Sequence, residues 1–235
     1  MPCPSEIYTP RRAVGVFAPL LAFVCSLITC SAVAAEEPWR LQDQLDGPDW
    51  LSVSGSYRLR YEWLDNTFRP ADPGTDSLLV SRIRLAAVAR ANDTFRVGAE
   101  LQDSRTWGSE LATPLGIDDV NAVEPLQLYL GISGKNWFTE GDSLDVRLGR
   151  FTMGMGSNRL IGRHIYRNTQ NGSSGVTALW TQQDGPRVEA FITNPVVHLP
   201  ASRPDVDDNE IRLDEATSTV FWGAFVDRLN VSGNA

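Results

Sequence analysis

Lysine is almost missing from this chain of 235 residues: Lys135 stands alone beside twenty arginines. A GC-rich genome produces such a bias with no functional meaning. A guanidinium also grips a carboxylate through two parallel bonds, which an ammonium cannot, so the bias alone leaves both readings open. Cysteine is confined to Cys3, Cys25 and Cys30. Beyond them the chain has no thiol for a disulfide framework or a thiolate metal site. Histidine occurs only as His164 and His198, and neither has ligand spacing to another histidine or to a cysteine. After residue 35 no apolar run reaches the roughly 20 residues that a membrane-spanning helix needs. The formal charge of −8 argues against nucleic acid as a partner. What is present, 42% hydrophobic residues and 19 glycines, suits one β domain or a barrel.

The N-terminus reads as a targeting segment. Arg11 and Arg12 precede the apolar run AVGVFAPLLAFVCSLI, and the small residues SAVAA follow, ending at Ala35. A charged start, an apolar stretch and an A-x-A-like site make a secretory signal peptide, with cleavage expected after Ala34 or Ala35. Residues 1–35 are therefore read as the signal peptide, 36–50 as a polar periplasmic lead-in, and 51–235 as the β domain.

From residue 51 onward, alternation with period two recurs. In VSGSYRLRYEWL, Tyr57, Leu59, Tyr61 and Trp63 share one face, and Arg58, Arg60 and Glu62 the other. Further strands are expected at about 78–90, 94–104, 122–132, 143–151, 174–182, 187–193 and 219–227. Most run nine to twelve residues, the length a tilted strand needs to cross a bilayer. Soluble strands are nearer five or six. The connections between them alternate between long and short, as in outer-membrane barrels with long outer loops and short periplasmic turns. The pattern predicts a transmembrane antiparallel up-and-down β-barrel. Its apolar face meets lipid, with Tyr57, Tyr61, Trp63, Trp180, Phe221 and Trp222 in the interfacial girdles, and its polar face lines a lumen. Arg150 breaks the rule, because the register from Leu148 puts it on the lipid face. A position beyond the membrane edge, or a bulge near Gly149 that turns it inward, resolves the conflict.

The motifs and their order resemble the alginate export family of bacterial outer-membrane barrels. The residues that carry the likeness are Arg82-Ile83-Arg84-Leu85, Ala99-Glu100-Leu101-Gln102-Asp103-Ser104-Arg105, Gln127-Leu128-Tyr129-Leu130, Gly149-Arg150 and Gly156-Ser157-Asn158-Arg159-Leu160. The likeness covers about residues 52–195. Phe151 stands where the family usually has Gln, and Ser173-Ser174-Gly175 where it often has F-D-G. The resemblance implies a barrel of about eighteen strands, inside the range of such barrels. Eight strands are found, so the sequence is read as the N-terminal portion of the family pattern.

In this reading the working residues are Arg58, Arg60, Arg82, Arg84, Arg96, Glu100, Arg105, Gln127, Arg147 and Arg159, all expected to line the lumen. Arginine rings select anions in pores, and each can pair transiently with a uronate carboxylate. Interspersed carboxylates such as Glu62, Asp103, Asp145 and Glu189 keep any one site from holding too tightly. The expected function is passive, electrostatically guided passage of an anionic polysaccharide or a smaller anionic solute. The expected surroundings are outer-membrane lipid and, as further partners, periplasmic export components. No catalytic group, metal or cofactor is expected. GMGSNRLIG lacks the Lys-Ser/Thr pair of a phosphate loop, and the acidic stretch PDVDDNEIRLDE lacks EF-hand order. Two alternatives remain at this point: a small closed structural or adhesive barrel without a pore, and an exported carbohydrate-binding β-sandwich.

Overall fold

Eight long strands dominate the structure, a computed structural model that describes residues 47–65, 74–110, 115–164 and 166–228. The expected signal peptide, most of the lead-in and the first interstrand connection lie outside the described residues. The strands are β1 (Leu51–Asp65), β2 (Thr75–Arg90), β3 (Phe95–Trp107), β4 (Asn121–Lys135), β5 (Asp142–Phe151), β6 (Ser173–Gln182), β7 (Pro186–Val197), the two-residue β8 (Glu215–Ala216) and β9 (Phe221–Arg228). Each of the eight sequence-derived strands is found, usually a few residues longer at the ends. One short helix, α1 (Arg203–Asp207), follows β7, with Ser202 as its N-cap.

All strands belong to one antiparallel sheet in chain order, β1 through β7, with β9 on the β7 edge and β8 against Val196 and Val197. Among the described residues there is one sheet and not two packed face to face, so the sandwich alternative does not hold. Among the described residues β1 pairs only with β2, and β9 only with β7, so the sheet is not closed. A closed eight-stranded barrel is therefore not what these strands form. The architecture is an up-and-down sheet consistent with part of a larger barrel.

The register makes the two faces explicit. Tyr57 lies opposite Ile83, Leu85 opposite Leu101, Val97 opposite Leu130, and Leu130 opposite Leu148. These side chains are exposed: Tyr57 64%, Leu85 57%, Leu130 57% and Leu148 54%. A typical soluble monomer exposes no contiguous apolar patch beyond a few hundred Å²; here exposed apolar side chains occur on every long strand except β6. Burial is inverted to match. Among the described residues ten buried side chains are apolar and twenty-one are polar or charged.

Four positions depart from what the sequence leads one to expect. Arg105, expected in the lumen, lies opposite Ser81 on the apolar face and pairs with Asp103 at 3.0 Å. Its odd parity with Leu101 requires this. Leu126, two residues before the outward-facing Leu128, sits at a register shift between β3 and β4 and is 1% exposed. Two β4 residues there face one on β3, so the outward alternation is lost. Phe221, expected in an aromatic girdle, faces Thr193 and packs on Phe191 with ring centroids 4.9 Å apart. Arg150 turns to the buried carboxylate of Glu124, 2.5 Å away. Gly149 allows that turn with a φ of 128°, and a Cβ there would meet the Leu128 carbonyl oxygen at 2.5 Å.

The short connections share one end of the sheet. At residues 91–94, Asn92 Oδ1 accepts from the backbone N–H groups of Thr94 and Phe95, an Asx-type turn. At 136–141, the Asp142 carboxylate accepts from the N–H groups of Trp137, Phe138 and Thr139 at 2.7–2.9 Å and from the Trp180 indole at 3.0 Å. Asp142→Ala removes all four acceptances. It is expected to cost about 1–3 kcal/mol, read as a lower temperature for the heat-induced gel shift of the folded band.

Candidate solute pathway on the polar face

The polar face is not a bare wall of arginines. Two long connections, between β5 and β6 and between β7 and β9, leave the other end of the sheet, and their described residues lie against it. The first is held at its C-terminal half. Arg60 donates to the Tyr166 carbonyl at 2.8 Å, and Arg58 and Arg82 donate to the Arg167 carbonyl at 3.2 and 2.7 Å. The Arg60 guanidinium also sits 4.4 Å from the Tyr166 ring centroid, a cation–π contact. Asn168 is 1% exposed; its side-chain amide donates to the carbonyls of Ser81 and Asp119, and its main-chain carbonyl accepts from the Ser104 hydroxyl at 2.7 Å. Thr169 bonds the 115–120 segment through Ile117 and Asp118. Arg167 pairs with Asp118, and burial lowers its pKa.

These contacts follow from sequence. Arg58 and Arg82 are direct cross-strand partners, and Arg60 lies one pleat along the same face. Three guanidiniums at that spacing reach two consecutive backbone carbonyls, those of Tyr166 and Arg167. The forks bring five N–H donors each in a fixed plane, so they hold a backbone better than flexible lysines would.

The second connection is tied to the first through a buried polar cluster. Asp214 accepts from the Asn121 amide at 2.6 Å and the Leu199 N–H at 2.9 Å, and its own N–H donates to Glu124. His198 places Nδ1 2.7 Å from Asp214 and Nε2 3.2 Å from Asn171 Oδ1. Arg150 closes the cluster against Glu124 and Asp214. The acidic stretch 204–215 is thus only partly solvated: Val206, Asn209 and Asp214 are buried, and the Asn209 side chain pairs with both backbone groups of Thr106.

The remaining candidates divide in two. Arg96 lies over Gly131 and pairs with Asp145 at 2.6 Å. Glu100 accepts from Arg163 and from Gln127, whose own carbonyl accepts from the Thr152 N–H at 3.2 Å. Arg84 lines a cavity of about 350 Å³ with Arg163, Glu100, His164, Ser54 and Ser56. Two guanidiniums and one carboxylate give that hollow a positive balance. Arg147 lies 5.2 Å from the Phe151 ring centroid and 5.8 Å from that of Tyr129. Arg159 is exposed near the tip of the first connection.

Sequence reading missed Asn168, Asn171, Glu124 and Asp214. The run Arg167-Asn168-Thr169-Gln170-Asn171 carried the signal, because so many hydrogen-bonding side chains in a row need partners once buried.

A family model described as Alginate export matches residues 49–226. No curated protein and no solved structure matches the chain.

Proposed function

Since this chain belongs to the alginate export family of outer-membrane β-barrel porins, we propose that it passes an anionic polysaccharide of the alginate kind, or a related anionic solute, along its arginine-bearing face. The observation that supports this reading is the inverted burial: polar and charged groups are enclosed, while leucine, tyrosine and tryptophan face outward. In lipid every backbone group must be paired within protein, which favours closed sheets, and outward apolar residues are then in their preferred solvent. Residues 1–35 direct export and are removed. The short turns face the periplasm, and the long connections lie at the outer end.

Residues 152–172 and 198–220 bear on barrel size. An eight-stranded barrel has an interior just wide enough for side chains. Two inserted connections do not fit there, so further strands complete the wall. The solute then meets Arg84, Arg147 and Arg163 on the open part of the polar face, with Glu100 and Asp145 preventing tight capture.

The test is conductance of the full chain in planar bilayers, where a preference for anions is expected. Arg84→Gln together with Arg147→Gln should weaken that preference. Each lost charge is worth about 1 kcal/mol at contact in water, roughly five-fold in local anion concentration. Conductance with unchanged selectivity in the double variant would remove these residues from the pathway.

A further inference from the structure

Three arginines that look like solute ligands have another task. Resting on the pathway proposed above, we infer that residues 166–171 form a fixed internal strap that sets its bore, with Arg58, Arg60 and Arg82 as its positioning residues. Arg58 and Arg82 both donate to the Arg167 carbonyl, Arg58 also to the Asn168 side-chain oxygen, and Arg60 to the Tyr166 carbonyl. Arg82 is only 5% exposed, so a passing carboxylate has little access to it. Ahead of the strap Arg163 pairs with Glu100 on β3, and at its far end Asn171 meets His198, which belongs to the other inserted connection. Between them Asn168, Thr169 and Gln170 are each no more than 1% exposed. A segment buried by its polar side chains and gripped through its main chain is a built constriction and not a loose loop.

Charge and grip can be separated. Arg→Lys keeps the positive charge but loses the planar fork that holds a carbonyl. Full-length Arg58→Lys/Arg82→Lys, reconstituted in planar bilayers, is expected to show conductance raised about two-fold or more, with anion preference retained. Folding is followed by heat-modifiable gel migration. A second variant leaves the strands intact: Tyr166→Gly with Asn168→Gly, which removes a ring contact and the buried amide. It is expected to raise conductance in the same way. If either variant folds and conducts at the wild-type level, the strap does not set the bore. If the lysine variant loses anion preference at unchanged conductance, the arginines are solute contacts. If the wild-type protein forms no channel, the pathway reading fails first and takes the strap with it. Conductance without strap sensitivity overturns the inference alone.

Discussion

Leu130→Arg is expected to destabilise the protein by about 2–4 kcal/mol in lipid bilayers, the cost of an arginine at the midplane of an outer-membrane barrel. Leu130 is 57% exposed, between Val97 on β3 and Leu148 on β5, both also exposed. In water, a change at so exposed a site falls within about 0.5 kcal/mol of zero. The sign and size therefore report the solvent on that face. Leu160→Arg is the control. Leu160 is 99% exposed and lies in the connection after β5, so its replacement should be near neutral. Denaturant titration from lipid vesicles, comparing both variants with wild type, measures the difference.

Arg150→Ala is expected to be worse, at about 3–5 kcal/mol, because it strands buried charge. Glu124 is 0% exposed and Asp214 7%, and Arg150 is the cation that reaches both. Removing it leaves two carboxylates close together around His198. Adding Glu124→Gln should restore part of the loss, since one of the two charges then disappears. Additive losses in the double variant would show that the cluster is not electrostatically coupled. The same titration serves, and a matching loss should appear in the temperature at which the folded band converts on a gel.

The strands and their two faces were legible because period two leaves little freedom: a one-residue slip would turn every leucine inward. Arg150 was legible as a misfit, and Gly149 proved to be its cause. Arg105 belongs to a family-like motif but follows the parity of its strand: Leu101, Asp103 and Arg105 share a face by counting alone. Leu126 could not be read, because a bulge is set by how two strands meet and not by either one. Phe221 lies in β9, where both faces carry bulky apolar residues and alternation says little. The larger gap concerns what touches the polar face. Alternation shows that Arg58, Arg60 and Arg82 point away from lipid, but not that a later segment of the same chain supplies their acceptors. That depends on contacts about a hundred residues apart, such as Arg58 with Arg167.

The account stands on which solvent each face meets, and β3 offers the most direct measurement. Cysteine lies only at Cys3, Cys25 and Cys30, so single cysteines can be placed along β3 after these are replaced by serine. A fluorophore at residues 95 to 102, in the protein reconstituted with lipids carrying a quencher on the acyl chain, reads the environment position by position. The expected result is strong quenching at Phe95, Val97, Ala99 and Leu101 and weak quenching at Arg96, Gly98, Glu100 and Gln102. Uniformly weak quenching at all eight positions would contradict it.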